Sequence, residues 1–190
     1  IADEWLIHGD FLLAGVSQRF DFVVGNPPYV RQELIPAPLL TEYRRRFTTL
    51  YDRADLYVPF IERSLGLLAD EGQLCFICSD RWMKNKYGGP LRELVSRHFQ
   101  LRLHIDMVNA DAFHSEVSAY PAITVIAKGQ NKPTRVAQRP TLDEATLAEL
   151  SAALRGEAKA SHLFAELENV VDGSSPWILA AAGRIELIRR

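Results

Sequence analysis

Asn26-Pro27-Pro28-Tyr29 stands directly behind the apolar run Phe20-Asp21-Phe22-Val23-Val24-Gly25. A carboxamide, a proline carbonyl and an aromatic face held on one stiff turn suit a particular chemistry. The ring can stack on a planar base while the two oxygen acceptors grip an exocyclic amino group. A short buried strand has to deliver that turn, and open α/β sheets bind their ligands at the edge where such strands end. The same letters also read more plainly as a strand followed by a loop, because Asn and Pro-Pro favour turns and Tyr is an ordinary half-buried anchor.

The elements needed to position the turn can be read on either side of it. Trp5-Leu6-Ile7-His8 reads as a short strand leading into a loop at Gly9-Asp10. After the strand at 20–24, residues 30–54 form a polar and aromatic excursion carrying Arg44-Arg45-Arg46. Asp55 is placed to cap a helix running through Leu68, with Pro59 near its first turn, Phe60, Ile61, Leu65 and Leu68 as its apolar stripe, and Asp70-Glu71-Gly72 closing it. Leu74–Cys78 is a continuous apolar run, as in a strand covered on both faces. Gly88-Gly89-Pro90 opens a helix with Leu91, Leu94, Val95 and His98 on one side. Leu101–Ile105 alternates like a half-exposed strand near an edge, and Ala122–Ala127 is a further buried strand. The fold class is α/β, with a mostly parallel sheet whose last strand is antiparallel because no helix separates it from the one before. Residues 1–128 read as one catalytic domain. Residues 129–190, with an Ala/Leu-rich helix at 143–155 and a helix-like end, read as a helical connector.

The 190 residues are 47% hydrophobic, enough for one sizeable core. A net charge of −2 exerts no overall pull on nucleic acid, so any contact with DNA must use local basic surface. Arg44–Arg46 and the group Arg81, Lys84 and Lys86 are the candidates, although a solvated surface explains them too. No apolar run is long enough to cross a bilayer, and a cytoplasmic setting is expected. Cys75-Phe76-Ile77-Cys78 has the spacing of a zinc or redox half-site, but on a strand its thiols point to opposite faces and read as buried thiols. The five histidines have no paired ligand spacing, and no metal is expected.

Three ordered motifs carry a resemblance. Asp21 to Val30, then Asp55-Leu56-Tyr57-Val58-Pro59-Phe60-Ile61-Glu62, then Gly72-Gln73-Leu74-Cys75-Phe76-Ile77 together resemble the amino-group adenine-specific DNA methyltransferases. The likeness is strongest to the restriction-modification kind, it extends from about Asp10 to Lys128, and it implies a Rossmann-like sheet using S-adenosylmethionine on double-stranded DNA, nucleoid-associated in a bacterium or archaeon. It implies a catalytic turn of Asn26, Pro27, Pro28 and Tyr29 in which Asn26, through its side chain, and Pro27, through its carbonyl, accept hydrogen bonds from the target amine. Tyr29 would stack on the flipped base, and Phe113, in Ala112-Phe113-His114 before the last strand, would wall its opposite face. Gly9-Asp10-Phe11-Leu12 matches the loop whose acidic residue contacts the cofactor's adenine amine, making Asp10 the candidate, and Phe60 would line the adenine pocket. A turn aspartate, a core phenylalanine on a helix stripe and a plug beneath a loop are the plainer readings of Asp10, Phe60 and Phe113.

One departure from the family pattern has consequences. The aromatic-x-Gly-x-Gly loop and the acidic ribose binder of that family do not occur before Asp10, so the chain is expected to supply only the C-terminal half of the sheet. It follows that residues 5–8 lack a neighbour, that the strand at 20–24 is an exposed edge, and that a preceding segment or a second chain completes the sheet. Residues 1–190 alone should then be inactive. Two other classes remain open: a protein-glutamine or RNA-guanine amino methyltransferase, and a non-catalytic DNA-binding or defence subunit.

Overall fold

The computed structural model describes residues 5–108, 121–129, 133–155 and 163–179. Six strands form one mixed sheet in the order β1-β2-β4-β3-β5-β6. They are β1 (Phe20–Gly25), β2 (Leu68–Ser79), β3 (Phe99–Asp106), β4 (Pro121–Lys128), β5 (Thr134–Gln138) and β6 (Ala165–Leu167). β1 and β2 run parallel, as do β3 and β5, whereas β4 is antiparallel to both of its neighbours and β6 to β5. The helices are α1 (Ala37–Arg46), α2 (Tyr57–Gly66), the single turn α3 (Arg81–Lys84), α4 (Gly89–His98) and α5 (Glu144–Arg155).

The α/β class and the antiparallel setting of Ala122–Ala127, here β4, are as the sequence reads, but that strand is not the last, since β5 and β6 follow it, and several other details differ. Residues 5–8 form no strand, and Trp5, Leu6 and Ile7 are exposed, since among the described residues no strand lies beyond β1 to pair with them. β1 is the sheet's outer strand, with Phe22 and Val24 more than two-thirds exposed. Helix α2 stops at Gly66, and its Leu56 N-cap makes no side-chain hydrogen bond, so Asp55 does not cap it. Asp70-Glu71-Gly72 belongs to β2, where a register shift sets Phe20 opposite Leu68 and Phe22 opposite Gln73. A Cβ on Gly72 would lie 2.8 Å from the Phe20 carbonyl oxygen, so the bulge needs a residue without a side chain.

β3 is an interior strand and not near an edge, because β5 covers the side away from β4. The segment after Lys128 thus contributes two strands as well as the expected helix, α5, whose Leu150 packs with Leu103, Ile105, Met107 and Ala137. Further along, Trp177 is buried edge-on against Trp82, with ring centroids 5.3 Å apart. The terminal helical reading at 185–190 lies outside the described residues. On α4 the inward-facing polar residue is Arg92, and His98 is exposed. Arg92 stays buried because its guanidinium donates to the main-chain carbonyls of Trp82, Asn85 and Ser174. Cys75 and Cys78 are free, the first half-buried and the second buried.

His104 on β3 is 1% exposed and sits with its Nε2 3.8 Å from Asp80 Oδ2. Burial lowers its pKa from 6.5 to about 4, against the opposing pull of the Asp80 and Asp106 carboxylates, while Lys84 pushes the same way as burial. The imidazole is therefore neutral in the folded protein, and the Asp80 carboxylate pairs with Lys84 at 2.5 Å instead. A histidine with a depressed folded-state pKa gives stability that is complete above 6.5 and is lost as pH falls toward 4. Urea unfolding at pH 7 and pH 4 should show a loss of about 3 kcal/mol from this group, and a His104→Gln variant should show a flatter dependence.

Candidate functional site

β1 ends by laying Gly25 on the Phe76 ring of β2, where an added Cβ would meet the ring edge at 3.2 Å. Asn26 follows, exposed at the carboxyl edge, and its carboxamide makes no hydrogen bond to any described residue. Pro27 is buried, Pro28 half-buried, and Tyr29 44% exposed. The turn therefore presents a free carboxamide and a partly open ring on a fixed proline base.

Tyr29 is held from behind. Its ring lies 6.0 Å from that of Tyr57 at an interplanar angle of 47°. Burial first, and then the neighbouring Cys78, push its phenol pKa up to about 12, so the ring remains uncharged. Tyr57 is fully buried and its hydroxyl is 2.8 Å from that of Tyr87. Burial and this partner drive the Tyr57 phenol pKa far upward. Sequence reasoning missed Tyr57 and Tyr87, although Tyr57 stands in the Asp55–Phe60 segment that carried the resemblance.

A second cluster lies one helical turn along α2. Phe60 is three residues after Tyr57, a spacing that places both on one side of the helix. Its ring meets Phe11 with centroids 5.0 Å apart. Asp10 precedes Phe11, and its carboxylate accepts from the Leu12 main-chain N–H at 2.8 Å and from the Tyr43 hydroxyl at 2.5 Å. Asp10 and Phe60, named separately from the sequence, thus share one half-buried corner with Phe11. Phe11 was not singled out, and its signal was an aromatic directly after the acidic residue of a loop.

The loop 10–14 has no strand before it, yet it is pinned by side chains. Arg46 donates to the Leu13 carbonyl and Arg63 to the Ala14 carbonyl, and the Arg63 guanidinium stands 5.5 Å above the Phe11 ring. The excursion 30–56 closes at its base through a hydrogen bond from the Leu56 N–H to the Val30 carbonyl. Three of its arginines are engaged locally: Arg44 bonds Gln32, and Arg45 and Arg46 pair with Glu42. Asp55, half-buried near Arg31, Glu33 and Arg81, has its pKa raised chiefly by burial. Phe113 lies outside the described residues.

The sheet, in which the outer strand β1 ends in this turn and β4 runs antiparallel beyond β2, has the α/β fold of known S-adenosylmethionine-dependent methyltransferases. One of these, from Listeria monocytogenes, superimposes with a TM-score of 0.60 at 15% identity, over 78% of this chain and 46% of that one. A chain from a type I restriction-modification system superimposes with a TM-score of 0.67 at 14% identity, over 92% of this chain and 42% of that one. The chain belongs to the Eco57I restriction-modification methylase family, whose model matches residues 3–113. It is 56% identical to the type II methyltransferase M.PaeR7I of Pseudomonas aeruginosa, over 100% of this chain and 33% of that protein. It is also 56% identical to M.XhoI of Xanthomonas vasicola, over 98% of this chain and 35% of that protein. The chain thus spans about a third of the length of these relatives. No helix among the described residues is long and apolar enough to cross a membrane.

Proposed function

We propose that this chain is the substrate-facing part of a restriction-modification enzyme that methylates the exocyclic amine of adenine in double-stranded DNA. The observation that carries the proposal is the exposed, unpartnered Asn26 carboxamide beside the half-open Tyr29 ring, at the carboxyl end of a parallel strand. Asn26 Oδ1 and the Pro27 carbonyl accept hydrogen bonds from the target amine and stabilise the positive charge that develops on its nitrogen. Their position is fixed beforehand by β1 and by the two prolines, so little reorganisation accompanies the reaction. Tyr29 stacks on a base flipped out of the duplex, and Phe113 covers its other face.

S-adenosylmethionine, when bound, supplies the electrophilic methyl group. The corner formed by Asp10, Phe11 and Phe60 fits its adenine, because it offers a half-buried aromatic pair beside a carboxylate that can still accept from an amine. A segment carrying a glycine loop for the methionine end completes the site, joined at the open β1 edge. Residues 1–190 alone accordingly bind the cofactor weakly and transfer nothing. Calorimetric titration of this stretch should show no micromolar binding, and a micromolar constant would contradict the division of the site.

The whole enzyme is tested by incubating the complete protein with tritiated S-adenosylmethionine and equal amounts of duplex DNA, transfer RNA and a glutamine-containing peptide. Label in DNA alone is expected. Label in RNA or in peptide would move the protein to another amino methyltransferase class, and no transfer with retained DNA binding would make it a binding subunit.

A further inference from the structure

Tyr43 stands 33 residues away from Asp10 in sequence, on the helix of the excursion, and reaches back to it. Its ring is 4% exposed and belongs to the main core, while its hydroxyl ends on Asp10 Oδ2 at 2.5 Å. The other oxygen of the same carboxylate accepts from the Leu12 N–H, and the Asp10 main-chain carbonyl accepts from Leu13 and Ala14 at 3.0 and 2.8 Å. The residue is thereby fixed at both ends. Each carboxylate oxygen can accept two hydrogen bonds, so one bond apiece leaves the group able to receive a further donor. Asp10 is only part-buried, which leaves that remaining capacity within reach of a ligand.

We propose that Tyr43 is a positioning residue for adenine recognition: its hydroxyl aims the Asp10 carboxylate at the 6-amino group of the cofactor's adenine. The assignment rests on the reading of Asp10 given above and extends it to a residue outside the matched loop. Burial, and after it the Asp10 carboxylate, drive the Tyr43 phenol pKa upward, so the hydroxyl remains a donor over the working pH range. A tyrosine serving only as a core anchor would support the loop without regard to the ligand's amine. An aiming residue affects only ligands that carry that amine. The two roles therefore separate by ligand.

The complete protein and its Tyr43→Phe and Asp10→Asn variants are titrated calorimetrically with two ligands. One is S-adenosylhomocysteine, and the other is its analogue with hydrogen in place of the 6-amino group. Wild type should prefer the amino ligand by roughly tenfold, as expected for a hydrogen bond to a charged group. Tyr43→Phe should lose most of that preference by weakening the amino ligand and leaving the analogue unchanged, and Asp10→Asn should do the same. In turnover, Tyr43→Phe should raise the KM for S-adenosylmethionine and leave kcat at saturation near wild type. Because both ligands are measured on one preparation, the preference does not depend on the fraction folded. A collapse with Asp10→Asn and none with Tyr43→Phe, or an equal loss for both ligands in Tyr43→Phe, overturns the role of Tyr43 alone. A preference unaffected by Asp10→Asn overturns the Asp10 reading and this assignment with it.

Discussion

Replacing Asn26 by Ala in the complete protein should lower the methyl-transfer rate by roughly two to three orders of magnitude, the scale of losing one preorganised acceptor or donor at a reacting group. Binding of duplex DNA should remain within about twofold, because Asn26 is exposed and supports no part of the fold. The substitution removes an acceptor that no described residue uses, so little else changes with it. Single-turnover methylation, measured alongside a DNA-binding titration, separates the two effects. A variant that binds DNA and methylates at the wild-type rate would show that the carboxamide does not touch the amine.

The largest structural effect is expected from Gly88→Ala. Gly88 has φ −79° and ψ −5°, torsions open to any residue, so the glycine is required by space and not by conformation. An added Cβ would fall 1.8 Å from the Trp82 carbonyl oxygen and 2.5 Å from its carbon. That carbonyl accepts from Arg92, whose other donors hold Asn85 and Ser174, and the Trp82 side chain is wholly buried. Making room for the methyl group moves the chain that carries Trp82 and releases a buried guanidinium from its acceptors. A loss of about 4 kcal/mol or outright failure to fold should follow, seen as a shifted urea midpoint. Gly66→Ala, where nothing lies within 4 Å, is the matched control and should stay within about 0.5 kcal/mol of wild type.

Much of the site was legible because it is local. The strand and turn from Phe20 to Tyr29 lie within ten consecutive residues, and Asp55–Phe60 holds the start of α2. Contacts that close over long separations were not legible in the same way. Tyr43 bonding Asp10, Tyr57 backing Tyr29 and Phe11 meeting Phe60 each join elements whose packing no periodicity reveals. The misread elements share one cause, which is that their neighbours decide their state. Leu101–Ile105 alternates as an edge strand does, yet β5 covers it and His104 is buried. Trp5–His8 has the residues of a strand and no partner strand among the described residues. The short strand β5, hidden in a polar stretch with prolines, and the three-residue β6 form by pairing with an existing sheet edge and not by an apolar pattern of their own.

Asn26-Pro27-Pro28-Tyr29 as a grip for an adenine amine is the core of this account, and the identity of the modified base tests it most directly. DNA from cells expressing the complete protein, digested to nucleosides and analysed by mass spectrometry, should contain N6-methyladenine that is absent when Asn26 is replaced by Ala. Methylated cytosine in its place, or N6-methyladenine undiminished in the Asn26→Ala strain, would contradict it.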